Sequence, residues 1–140
     1  MGDLSEISIA EGIARRAHSG QTEESTGDDY ILHVQRVVNL VDGCNSKIVA
    51  WLHDVIEDSD IDELDLLEAG ITARNVIAVR LLTRSEAETY AEYIDRIFES
   101  GNQTAIEVKI ADLRDHLRPN CPERLRPRYE KAWERMGAGL

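Results

Sequence analysis

The stretch Ile48-Val49-Ala50-Trp51-Leu52-His53-Asp54-Val55-Ile56-Glu57-Asp58 places a histidine and an aspartate side by side inside an apolar run. Five apolar residues before the pair and two after it read as a segment buried on most of its surface. A helix is expected here, capped by Asn45 or Ser46 and running to Glu57 or Asp58. Two metal-competent side chains in such a setting need a partner, because an unpaired buried polar group is costly. A divalent cation meets that need best. On this helix His53 and Glu57, four residues apart, are expected to share one face, with Asp54 and Asp58 as a second column about 100° around it, so that two columns line one side of a pocket.

The flanking sequence repeats the helical pattern. Leu4, Ile7, Ile9, Ile13, Ala14 and Ala17 recur at helix spacing up to His18-Ser19-Gly20. Gln21 to Asp28 is polar, acidic and glycine-containing and reads as a loop. Tyr30-Ile31 opens a helix that carries His33 in its first turns and continues through Val37, Val38 and Val41 to Gly43. Asp60 or Asp62 caps a short helix ending at Gly70, and Thr72 caps one bearing Val76, Val79 and Leu82. A further helix is expected from Ser85 or Glu86 to Ser100-Gly101, with Tyr90 and Tyr93 as core and scaffold. Gln103 to His116 and Leu125 to Met136 complete the set, with prolines at 119, 122 and 127 between them. No strand, internal repeat or low-complexity segment is expected. The fold class is all-α, a compact bundle of about six to eight helices forming one domain over residues 1–140.

Composition bounds the partners. The chain of 140 residues carries a net charge of −11, which disfavours a long nucleic acid. That charge is uneven: Ser19 to Glu68 holds thirteen acidic residues against Arg36 and Lys47, whereas Arg114 to Arg135 holds seven basic against four acidic. A small phosphate ester held by a metal and one basic wall remains compatible with this pattern. No run approaches the roughly 20 apolar residues of a membrane span, and the first fifteen residues lack the apolar centre of a signal peptide. Cys44 and Cys121 stand alone and read as free thiols, so a cytoplasmic protein is expected, with a homo-oligomer left open.

His33 and Asp112 complete a metal set with His53 and Asp54, since each lies on a helix with an apolar face. Two imidazoles and two carboxylates suit Mn²⁺, Fe²⁺ or Co²⁺, with Zn²⁺ also admissible. Four histidines in the whole chain favour one ion over two.

The ordered series His18-Ser19-Gly20-Gln21, Tyr30-Ile31-Leu32-His33, Trp51-Leu52-His53-Asp54-Val55-Ile56-Glu57-Asp58-Ser59, Leu82-Thr83 and Lys109-Ile110-Ala111-Asp112-Leu113 resembles the HD-domain metal-dependent phosphohydrolases. Within that superfamily the series is most similar to the hydrolase domain of RelA/SpoT-type (alarmone) proteins and their small stand-alone relatives. It extends over roughly residues 10–118. The resemblance implies that His33, His53, Asp54 and Asp112 bind one divalent ion, Mn²⁺ first, with Glu57 and Asp58 as the acid/base and water-orienting pair. It implies hydrolysis of a nucleotide-like phosphate ester or pyrophosphate, with guanosine 3′,5′-bis(diphosphate) as the nearest substrate analogy. The alternatives are a broader nucleotide phosphatase and a degenerate module that binds without turnover.

Lys109, Arg114, His116 and Arg118 are candidate substrate contacts, and His18 is a helix-end residue supporting the ligands from behind. Where the alarmone hydrolases carry basic residues, the loop reads Thr22-Glu23-Glu24-Ser25-Thr26-Gly27-Asp28-Asp29. Val34 stands in place of a proline, His116 in place of an asparagine and Pro119 in place of a threonine, while Arg118 matches. The metal set survives these departures, and weak guanine selectivity is expected.

Overall fold

The computed structural model describes residues 4–137, so residues 1–3 and 138–140 of the expected domain lie outside the described residues. The helices run in the order α1 (Leu4–Ala17), α2 (Tyr30–Asn39), α3 (Cys44–Leu52), α4 (Val55–Asp58), α5 (Glu63–Ala69), α6 (Ala73–Leu81), α7 (Tyr90–Glu99), α8 (Gln103–His116) and α9 (Arg126–Arg135). α4 is a single turn. The all-α expectation holds: among the described residues, extended pairing is limited to an isolated bridge between Thr22 and Asp29. None of the described helices is long and apolar enough to cross a membrane.

α3 is the axis of the molecule because its last five residues, 48–52, are apolar on every side. Ile48, Val49, Ala50 and Leu52 are fully enclosed and Trp51 nearly so, which lets α1, α2, α6 and α8 all pack against this one helix. Each such side chain contributes about 1.5–3 kcal/mol on burial. The surrounding helices bring their apolar stripes inward: Ala10, Ile13 and Ala14 from α1, Val34, Val37 and Val38 from α2, and Val108, Ala111 and Leu113 from α8.

Two expectations need correction. The helix expected from Asn45 or Ser46 to Glu57 or Asp58 begins at Cys44 and breaks at His53-Asp54. The break has a side-chain cause. His53 Nδ1 lies 2.7 Å from the Ala50 carbonyl oxygen and occupies the acceptor that Asp54 N–H would use in a continuous helix. Asp54 adopts φ −111°, ψ 1°, and the chain winds again when Asp58 N–H donates to the Asp54 carbonyl at 3.0 Å. The face-sharing columns expected of one helix therefore do not form; a kinked pair of helices does.

The second correction concerns α7, which starts at Tyr90 rather than Ser85 or Glu86. Thr89 and Glu92 form a capping box in which each side chain accepts the other's backbone N–H, at 3.1 and 2.8 Å. Residues before Thr89 instead turn, with Ser85 N–H donating to Glu88 Oε1 at 3.0 Å.

Candidate metal centre

Three helices and one kink bring four ligand atoms together. The His33 ring of α2, His53 at the end of α3, Asp54 in the kink and Asp112 of α8 each offer one atom, all within 4.8 Å of one another. His33 Nε2 lies 3.0 Å from Asp112 Oδ1, and His53 Nε2 lies 3.2 Å from the same oxygen and 3.0 Å from Asp54 Oδ2. His33, His53 and Asp112 are buried and Asp54 is half-buried, so the opening of the cluster is on the Asp54 side. Two imidazole nitrogens and two carboxylate oxygens form a donor set that suits a borderline divalent cation.

Both rings are oriented from behind. His53 Nδ1 faces the Ala50 carbonyl, so it carries the proton and leaves Nε2 free to ligate. His33 Nδ1 lies 2.6 Å from Asp115 Oδ2, and Asp115 is itself held by Arg36 at 2.8 and 3.1 Å. Arg36 also donates to Glu23 Oε1 at 2.6 Å. A second acidic group around His33, formed with Glu23 and Asp115, is thus already served by the Arg36 guanidinium. A carboxylate behind a ligating imidazole fixes its tautomer and raises its basicity. Asp115→Asn is expected to weaken metal binding by about 10- to 100-fold, checked by calorimetric titration of Mn²⁺; unchanged affinity would remove Asp115 from this role.

The electrostatics follow from crowding opposite charges in a buried space. Burial alone would push the Asp54 carboxyl up and the His53 ring down, but each overrides the burial of the other, so Asp54 lies far below and His53 far above its ordinary range. Burial is likewise outweighed at Asp112, which the Lys109 ammonium and His116 hold well below the carboxylate range. Burial lowers His33, yet hydrogen bonds to Asp112 and Asp115 carry it up to about 9.

An imidazole must shed its proton to ligate, so metal uptake by chelator-stripped protein displaces a proton from His33 at any pH below about 9. Apparent affinity is therefore expected to rise by about tenfold per pH unit for each proton displaced. Titrations between neutral pH and that value, in buffers of different ionisation heat, count those protons. A pH-independent affinity would contradict the assignment.

Above the four ligands opens a pocket of about 320 Å³, lined on its acidic side by Asp54, Glu57, Asp58 and Asp112. Arg84, Lys109, Arg128, His116 and four tyrosines, Tyr30, Tyr90, Tyr93 and Tyr129, also line it. Glu57 and Asp58 stand on the rim, projected by the one-turn α4. Glu57 Oε1 accepts the Arg84 N–H at 2.6 Å, which fixes it against the turn after α6. Desolvation among the surrounding protein atoms raises Glu57, and desolvation together with the charges of Asp54 and Glu57 lifts Asp58 to about 7.

The remaining sequence candidates separate. Lys109 is buried, and its Nζ donates to Asp112 Oδ2 at 2.9 Å while lying 4.9 Å from the Tyr93 ring centroid, so it anchors a ligand carboxylate from the pocket wall. His116 Nε2 lies 3.3 Å from Asp112 Oδ1, with its ring stacked on Tyr129 at 4.6 Å. Arg114 lies on another face of α8, beside Arg36, Asn39 and Leu40, outside the metal pocket. Arg118 is on that side too: its Nε donates to the Asp115 carbonyl at 3.1 Å and its Nη2 lies 3.7 Å from Glu23 Oε1. His18 is buried behind Tyr30, ring centroids 5.0 Å apart, with Nδ1 2.8 Å from Gln21 Oε1. Gln21 Nε2 in turn donates to the Asp58 carbonyl at 2.9 Å, so His18 reaches the rim through Gln21.

Several residues in the pocket or behind the ligands had no site role assigned from the sequence. Tyr30 donates its hydroxyl to Asp54 Oδ2, and its position three residues before His33, on the same helical face, is the signal that could have found it. Asp115, three residues after Asp112, had the same signal. Tyr90 and Tyr93, expected as core and scaffold, do pack in and against the core and also line the pocket, and the Tyr93 hydroxyl donates to the Leu82 carbonyl at 2.7 Å.

No family model matches the chain. It is 28% identical over 120 residues to the guanosine-3′,5′-bis(diphosphate) 3′-pyrophosphohydrolase of Vibrio cholerae serotype O1, covering 76% of this chain and 17% of that protein. The chain thus spans about a sixth of the length of that relative. Among solved structures it is similar to one described as a metazoan ortholog of SpoT that hydrolyzes ppGpp and plays a role in starvation responses. The TM-score is 0.77 at 20% identity, covering 97% of this chain and 85% of that one. In fold, then, the chain is like that SpoT ortholog, and over three quarters of its length its sequence is similar to the Vibrio cholerae pyrophosphohydrolase.

Proposed function

We propose that this domain is a metal-dependent phosphohydrolase that cleaves a phosphate ester or pyrophosphate from a nucleotide-like small molecule, with Mn²⁺ held by His33, His53, Asp54 and Asp112. The observation that carries the reading is the convergence of those four ligand atoms within 4.8 Å beneath a pocket whose rim bears Glu57 and Asp58. A divalent ion bound there supplies positive charge that polarises a phosphoryl oxygen and makes water a better acid. Asp58, at about 7, exchanges a proton readily near neutral pH and suits general acid/base work. Glu57, fixed by the Arg84 N–H, orients water at the rim. Water adds its oxygen to phosphorus, the bond to the leaving oxygen breaks, and the proton lost by water passes through a rim carboxylate to that leaving group. Arg84, Lys109 and Arg128 supply the basic wall for the anionic substrate.

The similarity to a guanosine-3′,5′-bis(diphosphate) 3′-pyrophosphohydrolase makes that 3′-pyrophosphate the first substrate to try. The loop over residues 22–29 supports a broader choice of base, because it offers carboxylates rather than cations and they are engaged internally: Glu23 with Arg36, and Glu24 with Arg124. The cytoplasm is the compartment this reading implies. Metal analysis of protein purified without chelator, then phosphate and pyrophosphate release with added Mn²⁺, tests the proposal. Guanosine tetraphosphate, ordinary nucleoside monophosphates and NADPH are the informative substrates. Metal binding with no turnover of any of them would leave a binding module instead.

A further inference from the structure

Beside the metal pocket, α7 and α9 enclose a second concavity of about 380 Å³ whose walls are apolar, formed by Ala91 and Ile94 of α7 and Ala132 of α9. Tyr90 and Arg128 line both concavities, so the two meet at this pair. The Arg128 guanidinium carbon lies 5.0 Å from the Tyr90 ring centroid, and no carboxylate pairs with Arg128 among the described residues. Arg15, Arg36, Arg80, Arg96, Arg118, Arg124 and Arg135 are each paired with a carboxylate, whereas the Arg128 guanidinium at this junction is left to a ring face and to a ligand. Lys131, at the rim of the same cleft, also has no carboxylate partner among the described residues. The 22–29 loop, which lines neither concavity, is closed on itself by Glu23 N–H to the Asp28 carbonyl at 2.7 Å and Gly27 N–H to the Glu23 carbonyl at 2.8 Å.

We infer that the α7–α9 cleft is the subsite for the planar base of a nucleotide whose reacting phosphate lies over His33, His53, Asp54 and Asp112. The placement of that phosphate rests on the phosphohydrolase reading; the cleft itself does not. A molecule with an anionic group at one end and a flat, weakly polar ring at the other matches, in order, the ligand cluster, the unpaired cation at the junction and the apolar walls. The volume falls within the range of about 300–1,000 Å³ usual for small-molecule sites. The guanidinium plane of Arg128, already supported by Tyr90, offers a stacking surface that any base can use, so selectivity among bases is low. The acidic stretch from Ser19 to Glu68 disfavours an anionic ligand, which leaves the basic side of the molecule as its approach.

The test compares adenosine 5′-monophosphate with ribose 5-phosphate as binding probes on the full chain in the presence of Mn²⁺-free buffer and of Ca²⁺, with amide shifts recorded by NMR. The nucleotide is expected to bind about tenfold more tightly than the sugar phosphate and to shift amides of residues 90–94 and 128–132. Ala91 is exposed on the helix surface, so Ala91→Trp fills the cleft from its wall, and it is expected to erase that tenfold advantage; Ala91→Leu, a milder filler, erases part of it. Base-dependent shifts at other residues, or an advantage that survives Ala91→Trp, would overturn the inference. So would concentration-dependent dimerisation lost in Ala91→Trp, which would give the cleft to a second copy of the chain. Binding as expected without turnover of any phosphate ester leaves the cleft standing and removes the phosphohydrolase reading; turnover with the base bound elsewhere does the reverse.

Discussion

Protein carrying His53→Ala is expected to lose metal affinity by more than about 100-fold, beyond the 10- to 100-fold typical of losing a partner behind a ligand, and to lose turnover with it. His53 is nearly inaccessible, and its Nε2 is the atom that stands between Asp54 Oδ2 and Asp112 Oδ1, at 3.0 and 3.2 Å. Alanine removes a ligand and leaves two carboxylates facing each other across a cavity, with His33 as the remaining imidazole. Asp54→Ala acts on the same cluster from the open side and is expected to abolish metal retention as well. Metal content after chelator-free purification, measured alongside a thermal melt to establish folding, decides the point. A folded His53→Ala protein that keeps its metal would mean that the ion, if any, lies elsewhere.

Glu57→Gln separates binding from chemistry. Glutamine keeps an oxygen that can accept the Arg84 N–H, so the contact between α4 and the turn after α6 survives the change. What disappears is the negative charge and the capacity to take a proton. Metal content is expected to match the wild-type chain while kcat falls by about 10²- to 10⁴-fold, the usual worth of a positioned acid or base. Full speed in this variant would strip Glu57 of its role and leave Asp58, whose carboxyl desolvation lifts to about 7, as the group to replace next.

Most helices could be read directly, for local reasons. α8 spans Gln103–His116 as its apolar spacing predicts, and α5 closes at Gly70, whose φ of 109° few other residues adopt. The residues of the cluster were legible for a different reason. Histidines and aspartates embedded in apolar helical stretches cost free energy unless they share something, and a chain with few histidines has few ways to share. Less legible was anything that depends on a side chain competing with the backbone. The kink at His53-Asp54 contains no proline or glycine; it exists because one ring nitrogen faces the Ala50 carbonyl, which spacing alone does not disclose. The late start of α7 lies in the Thr89–Glu92 capping box, a local signal stronger here than the apolar period that extends ahead of it.

The sequence by itself determined most of the helices, the faces they turn inward, and the histidines and aspartates on apolar helical stretches that need a shared partner, since these follow from periodicity and from the cost of unpaired polar groups. Tertiary structure alone decided how the basic residues divide. Lys109 turns to Asp112 and Arg118 to the Asp115 brace, Arg114 stays outside the pocket, and Arg84 and Arg128 meet around Tyr90. Long flexible cations take their positions from whichever carboxylate or ring the packing of separate helices brings within reach, and that choice is made across the fold, not along the chain.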